Sequence, residues 1–143
     1  MVVCRGTGLL SKQLDMYAAA DFRYQNPMDS GTAAMEAITS IIEGPMCFFV
    51  AWGLINNKQW RWPLQLILCT MQIYGLIWFT IQPIWSPEGY SGHMATDDPF
   101  LFWVIAVGCN APWGIFPPIL WFQAWRRLAS APAISAYDEK KLR

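Results

Sequence analysis

Charge is what this 143-residue sequence has least of. Charged residues make up 14% of it, with 10 Lys and Arg against 10 Asp and Glu, whereas a typical soluble domain carries about 25% charged residues. A neutral chain this poor in charge lacks the basic surface that nucleic-acid binding requires, so we exclude a nucleic-acid partner. The apolar fraction of 55% is too high for a disordered chain. The sequence therefore predicts one folded, apolar domain.

The sequence also lacks the motifs of common hydrolases and cofactor-dependent enzymes. It has no glycine-rich phosphate loop, no Ser-His-Asp order and no HExxH pair. The only histidine, His93, lies in a predicted loop, where a solvated side chain is favoured over a catalytic one. The cysteines at 4, 47, 69 and 109 are too far apart for a metal or redox motif. We therefore predict neither a metal nor a cofactor.

What the sequence does have is three long stretches almost free of charge. Residues 62–87 and 99–125 contain no charged residue, and residues 33–57 hold only Glu36 and Glu43 before Lys58. About 20 apolar residues cross the hydrocarbon core of a bilayer as a helix. We therefore predict an all-α, polytopic membrane bundle with three transmembrane helices. They are placed at about 33–56, 63–85 and 99–122.

The charges that remain divide the chain into a lead-in (1–32), a membrane domain (33–125) and a tail (126–143). The lead-in has weak helical spacing at 12–24, for which we predict a short helix lying on the membrane. Lys and Arg cluster in the first interhelical loop and in the tail, whereas the second loop, 88–98, is acidic. The positive-inside bias therefore places the tail in the cytosol, and the lead-in and second loop in the lumen.

The last four residues are Lys140-Lys141-Leu142-Arg143. Lysines at the third and fourth positions from the end resemble the dilysine retrieval signal of endoplasmic-reticulum membrane proteins, which requires a cytosolic tail. A solvated basic tail that contacts anionic membrane lipid is the alternative. The first interpretation predicts a multi-pass protein of the endoplasmic reticulum membrane.

Two carboxylates inside the first predicted helix are the most informative polar groups. A charged side chain at bilayer depth costs roughly 2.5–3.5 kcal/mol on insertion scales and marks a functional site by default. Glu36 and Glu43 are seven residues apart, so they share a helix face, about 10 Å apart along the axis. Thr39 and Ser40 lie between them, which makes a polar stripe that must face protein or a cavity. For Glu36 alone, capping the helix end or snorkelling is the alternative.

The other two predicted helices add amide and aromatic groups. Asn110 and Trp113 are three residues apart, on one face of the third helix, beside prolines that free backbone carbonyls. The second helix contains Gln65 and Gln72, which we expect to hydrogen-bond across helices, and Tyr74. Together these parts predict a pocket for a flat apolar ligand that carries or develops one positive charge. Such a pocket can shift a double bond by protonating an alkene and deprotonating the adjacent carbon.

Several short motifs resemble those of the emopamil-binding protein family, in the family's order. They are Tyr17 with Asp21-Phe22-Arg23-Tyr24, Met35-Glu36-Ala37-Ile38-Thr39 with Glu43-Gly44-Pro45, Gln72-Ile73-Tyr74-Gly75, and Cys109-Asn110-Ala111-Pro112-Trp113. The resemblance, to an EXPERA-type domain, covers roughly residues 12–130. The family includes the sterol Δ8–Δ7 isomerase of the endoplasmic reticulum and a sigma-receptor-like branch. The resemblance implies a five-helix membrane bundle with an internal pocket. This chain would form the C-terminal part of that bundle.

The resemblance also implies roles for individual residues. Glu36 looks like a family acid that transfers protons and holds the amine of cationic amphiphilic drugs. Trp113 looks like the residue that stabilises the carbocation. The predicted substrate-binding residues are Thr39, Glu43, Tyr74 and Asn110. The implied activity is that of a 3-beta-hydroxysteroid Δ8–Δ7 isomerase of sterol biosynthesis (cholestenol delta-isomerase), which needs no cofactor.

One departure from the family pattern limits this expectation. The family has an earlier pair of helices, the second of which carries a His and a Glu that join the proton transfer, and we find no counterpart here. We therefore expect these 143 residues to bind sterol-like amines but to fail, alone, at converting a Δ8 sterol. Self-association is one way to cover the polar stripe. A non-catalytic sterol or cationic-amphiphile binding protein is the alternative function, and a structural membrane subunit is a third.

Overall fold

The computed structural model describes residues 8–130. Within this range three helices are long and apolar enough to cross a membrane, which confirms the predicted all-α membrane bundle. We call them the first, second and third spans. They run over Ser30–Ile55, Arg61–Trp85 and Phe100–Ala129. The predicted cytosolic tail beyond residue 130, with its dilysine pattern, lies outside the described residues, as does Cys4.

The first span begins three residues earlier than the apolar run suggested, because Asp29 caps it. The Asp29 carboxylate accepts hydrogen bonds from the Thr32 amide at 2.8 Å and the Thr32 hydroxyl at 2.9 Å, which satisfies a free amide of the first turn. The span comprises a regular helix, a wider π-helical turn and a second regular helix. These are α2 (Ser30–Ile38), the π turn (Thr39–Glu43) and α3 (Gly44–Ile55).

The second and third spans pack along each other. The second span is one helix, α4 (Arg61–Trp85), and the third joins a π-helical stretch (Phe100–Val107) to α6 (Gly108–Ala129). Gln65 donates to the carbonyl oxygen of Leu120 at 2.9 Å, so this glutamine makes the bond between helices that its position in an apolar run predicts. The third span continues seven residues past its predicted end at 122 because arginines in the last turn favour a helix C-terminus.

The lead-in forms α1 (Leu9–Ala20) and a short 3-10 turn (Phe22–Tyr24), and α1 packs against the start of the third span. A buried ion pair holds the turn in place, with Arg23 Nη2 at 2.7 Å from Asp21 Oδ2 and both side chains no more than 1% exposed. Arg23 also donates to Gln82 of the second span at 2.8 Å, and Gln82 donates to Asp29 at 3.1 Å. These four residues, called here the anchor network, tie the lead-in to two spans.

The second loop, between the second and third spans, contacts the lead-in at the end of α1. It contains a one-turn helix, α5 (Gly89–His93), followed by an isolated β-bridge between Met94 and Asp21. The Ala95 amide donates to the carbonyl oxygen of Ala20 at 3.0 Å. The lead-in is therefore held between the second loop and the spans.

Polar groups lie inside this bundle, and large apolar groups lie outside it. Phe48 is 80% exposed and Trp85 is 81% exposed, as expected for side chains that contact lipid. The buried polar side chains of the described residues come from the lead-in and the spans. They are Asp21, Arg23, Thr32, Glu43 and Gln65. This distribution suits a bilayer, where a polar group must find its partner within the protein.

Candidate functional site

A cavity of about 330 Å³ lies between the lead-in and the three spans. The first span contributes Glu36, Thr39 and Glu43 to its wall, and the third span contributes Asn110 and Trp113. The structure thus brings the predicted carboxylates, hydroxyl, amide and indole to one cavity, although they come from helices about 70 residues apart in sequence. The apolar part of the wall comes mainly from the second span, through Gly75, Leu76 and Phe79.

Two predicted members of the site do not line this cavity. Ser40, in the polar stripe, is exposed and is absent from the wall because the π turn widens the helix at that point. Tyr74 is 65% exposed and lies across the second span, since a step of two residues from Gln72 turns a helix by about 200°. Tyr74 lines instead a second cavity of about 600 Å³, together with His93 and Trp78.

Glu36 is held by a phenol of the lead-in. The hydroxyl of Tyr24 donates to Glu36 Oε1 at 2.5 Å. Burial, and then the hydrogen bond and charge of Glu36, raise the pKa of Tyr24 far above its ordinary value. The phenol therefore keeps its proton and acts as a donor at any physiological pH. The second oxygen of Glu36 is left for a ligand.

Asn110 is held in the same way by the other phenol of the lead-in. Its side-chain nitrogen donates to the hydroxyl of Tyr17 at 2.8 Å and to the carbonyl oxygen of Ala106 at 2.7 Å. Both amide hydrogens are then used, so the amide oxygen remains as an acceptor for a ligand. Tyr17 and Tyr24 are themselves in edge-to-face contact, with ring centroids 4.9 Å apart. The lead-in thus bridges the first and third spans across the cavity.

Sequence reasoning missed these two tyrosines as site residues. Both occur in the motif that resembles the family's lead-in, but the helical spacing around them is weak and gives them no role. Their partners are 93 residues away for Tyr17 and 12 residues away for Tyr24, so the contacts are tertiary. The two phenols are seven residues apart, but this spacing gives no helical signal because α1 ends at Ala20, between them.

No cation of the described residues neutralises the carboxylates of the cavity. The one ion pair in residues 8–130 is that of Asp21 with Arg23, which belongs to the anchor network. Glu43 is only 5% exposed, and its carboxylate lies one wide turn beyond Thr39 on the same wall. A negative group enclosed by protein at bilayer depth requires a partner or a proton. The site is therefore suited to a ligand that is cationic or that takes up a proton.

The indole of Trp113 completes the site from the third span. Its side chain lines the cavity and is 45% exposed. An indole face attracts positive charge through its quadrupole, most strongly where water is excluded. The cavity thus pairs a carboxylate that can donate or accept a proton with an aromatic surface that stabilises a cation.

The fold and this cavity define an α-helical membrane protein with a polar, acidic pocket inside apolar walls. The sequence model of the EXPERA family (EXPanded EBP superfamily) matches residues 9–124, which include every residue of the cavity wall. The chain belongs to this family, as its motifs indicated.

Several relatives of the chain are named as sterol isomerases or as synthases. A probable 3-beta-hydroxysteroid-Delta(8),Delta(7)-isomerase of Oryza sativa subsp. japonica is 27% identical over 80% of this chain and 50% of its own length. The 3-beta-hydroxysteroid-Delta(8),Delta(7)-isomerase of Mus musculus is 29% identical over 93% of this chain and 56% of its own length. Isomeliandiol synthase MOI2 of Melia azedarach is 23% identical over 87% of this chain and 54% of its own length. The chain thus spans about half the length of these relatives.

Proposed function

We propose that this chain forms the acid and cation-stabilising part of a sterol Δ8–Δ7 isomerase. The observation that carries the proposal is the cavity in which Glu36, without a cationic partner among residues 8–130, shares the wall with Trp113. The names of the relatives from rice and mouse support the reaction, and the name of the Melia relative, a synthase, supports a second reaction among related proteins. Together they favour proton-transfer chemistry on a flat, apolar ring system.

The reaction needs one proton in and one proton out. Glu36 in its acid form gives a proton to C9 of a Δ8 sterol, which leaves a carbocation at C8 beside the indole of Trp113. Loss of a proton from C7 then forms the Δ7 double bond, so the product has the composition of the substrate. Thr39 and the free amide oxygen of Asn110 orient the ring system in the cavity. Tyr24 holds the carboxyl group of Glu36 in place.

The second step, removal of the proton from C7, requires a base, and the cavity wall offers only one further carboxylate for this role. Glu43 is the other carboxylate of the wall, but it lies seven residues from Glu36, about 10 Å along the span. The carbons C7 and C9 are both neighbours of C8, so one site must serve both. The family resemblance assigns the second role to a His and a Glu on an earlier helix pair. We therefore predict that these 143 residues bind sterol-like amines and do not isomerise a Δ8 sterol unaided.

A second function, non-catalytic binding of sterols or cationic amphiphilic amines, is favoured by one observation. Two carboxylates line an apolar cavity and neither has a cationic partner among residues 8–130. An ammonium group attached to a flat apolar ring system would supply that partner. We also propose the endoplasmic reticulum membrane as the location and self-association as a means of covering the open side of the cavity.

The test is expression in a yeast strain that lacks its sterol isomerase, with the sterols analysed directly. We expect Δ7 product from a version extended by the family's earlier helix pair and none from the 143 residues alone. Glu36→Gln in the extended version should abolish the product. Glu88→Gln, the same change at an exposed acid of the second loop, is the matched control and should leave it unchanged.

Three outcomes would count against parts of the isomerase proposal. Robust Δ7 product from the unextended chain would show that a residue present here removes the second proton. Conversion by the extended Glu36→Gln variant would exclude Glu36 as the acid. Binding of an amine-bearing ring compound by purified chain, without conversion in any version, would favour the non-catalytic function.

A further inference from the structure

A second organised site lies at the opposite end of the bundle, where the three spans converge on Arg61. Gly53 of the first span is 17 residues beyond Glu36, about 25 Å along the helix. A Cβ on Gly53 would come within 2.8 Å of the Cβ of Arg61, so only glycine allows this approach. The stem of Arg61 is thus fixed against the first span, although Arg61 itself begins the second.

The guanidinium of Arg61 is fixed as well. It donates to Gln65 Oε1 at 3.0 Å, and Gln65 is only 3% exposed. Gln65 in turn donates to the carbonyl oxygen of Leu120 in the third span at 2.9 Å. An arginine that only extends to the membrane surface would not need a buried glutamine to orient it. We therefore infer that the position of the Arg61 guanidinium is fixed by the protein.

A second arginine is directed to the same place from the third span. The guanidinium carbon of Arg61 lies 3.5 Å from the ring centroid of Trp62, and that of Arg127 lies 5.6 Å from the same centroid. Both guanidinium groups therefore lie near one indole. The indole of Trp62 stabilises both through its quadrupole, but it neutralises neither.

No carboxylate of the described chain compensates these charges. Residues 44–87 and 99–130 contain no Asp or Glu at all, and the acids of residues 8–130 lie in the lead-in, the first span up to Glu43 and the second loop. Among the residues that the structure describes, this end of the bundle carries four cations. They are Lys58, Arg61, Arg126 and Arg127. Two of these cations, Arg61 and Arg127, lie near the same tryptophan. Their positive charge is not compensated by a described carboxylate, so an anion would bind favourably there.

We propose that Arg61, Trp62 and Arg127 bind the phosphate group of an anionic phospholipid. Arginine presents paired N–H donors that match phosphate oxygens, and a site shared by two arginines supplies both charge and geometry. The position agrees with a lipid source, because these residues stand at the ends of two spans, where headgroups lie beside interfacial tryptophans. The hydrocarbon tails would run along the exposed apolar faces of the second and third spans. This inference is independent of the sterol chemistry at Glu36.

The experiment measures which lipids the purified chain retains from mixed micelles of phosphatidylcholine and phosphatidylinositol, by native mass spectrometry. The parent chain should retain phosphatidylinositol in preference. The double variant Arg61→Gln with Arg127→Gln should lose this preference by about tenfold or more, because it removes two charge-assisted contacts. The matched control, Lys58→Gln with Arg126→Gln, removes the same charge at the same end and should keep it.

Two further measurements distinguish loss of the site from misfolding, and a lipid from a free anion as the ligand. Arg127 is exposed, so Arg127→Gln alone leaves the packing of Arg61 unchanged and should still weaken retention several-fold, roughly the effect of one charged contact. Inorganic phosphate is added as a competitor, and we expect it not to displace the lipid. Equal losses in both double variants would show diffuse charge attraction instead of a site. Full displacement by inorganic phosphate would assign the site to a free phosphate and overturn the lipid proposal.

Discussion

Tyr24 donates its hydroxyl to Glu36, and the 2.5 Å bond joins the lead-in to the first span at the cavity. It is the contact by which a segment outside the membrane-spanning helices fixes the acid inside them. Because burial and the neighbouring carboxylate raise the pKa of Tyr24, the phenol remains a donor. The lead-in is therefore part of the site and not only a linker before it.

Tyr24→Phe should weaken binding of an amine-bearing apolar ring compound by about tenfold, the effect of losing a hydrogen bond to a charged group. The aromatic ring and its contact with Tyr17 are kept, so the loss reports on the hydroxyl alone. In a Glu36→Gln background the same change should have little further effect, because the charged partner is already gone. The measurement is equilibrium binding to the purified chain in micelles.

The control for this prediction is Tyr90→Phe. The hydroxyl of Tyr90 donates to the carbonyl oxygen of Thr80 at 2.7 Å, away from the wall of the 330 Å³ cavity. Amine binding should be unchanged in that variant. If Tyr24→Phe weakens binding equally in the parent and Glu36→Gln backgrounds, Tyr24 acts on the fold and not through Glu36.

Asp21→Asn should destabilise the folded chain by about 3–5 kcal/mol, because it leaves the charge of Arg23 buried without its partner. The expected readout is a lower midpoint of thermal unfolding in detergent. Asp15→Asn, at an exposed acid of α1, is the matched control and should leave the midpoint unchanged. A midpoint for Asp21→Asn equal to that of the parent would mean that the anchor network is not needed to hold the lead-in.

The stabilising effect of Asp29 should depend on pH. Partial burial alone would raise its pKa, but hydrogen bonds from Thr32 and Gln82 hold the pKa below the ordinary 3.8. A carboxylate with a lowered pKa stabilises the folded state fully above its unfolded pKa, and the effect is lost as pH falls through the folded value. Asn is also a good helix cap, so Asp29→Asn removes mainly the charge. The difference in unfolding midpoint between parent and Asp29→Asn should therefore shrink as the pH drops below 3.8. A difference that stays constant with pH would assign the effect to cap geometry.

The orientation in the membrane rests on the Lys and Arg asymmetry and can be tested directly. A glycosylation acceptor introduced near Gly92 in the second loop should be modified in the lumen. One introduced near residue 136 should not be modified. The reverse pattern would invert the proposed topology and would move the site of Arg61 and Arg127 to the lumenal face.

The three spans were predictable because hydrocarbon excludes charge, and that rule acts on every residue of a long run. The grouping of Glu36 with Thr39, and of Asn110 with Trp113, followed from helical spacing. The roles of Tyr17 and Tyr24 were not predictable, since tertiary contacts leave no periodic signal in the short lead-in. Tyr74, which was predicted to bind the substrate, lines the second cavity. It is next to Gly75, which lines the 330 Å³ cavity, but adjacent residues on a helix point about 100° apart.

The π turn at Thr39–Glu43 gives the first span a sensitivity to length as well as to composition. A wide turn of this kind holds one residue more than a regular helix needs for the same advance. Deleting Ile41 or Ile42, both exposed to lipid, would remove no group of the cavity wall. It would let the turn tighten into a regular helix, and the two halves of the span would keep their relative orientation. A one-residue deletion at the exposed Phe48 in α3 has no wide turn to absorb it, so it would turn Gly53 by about 100° away from Arg61 and separate the acid at one end from the arginine at the other.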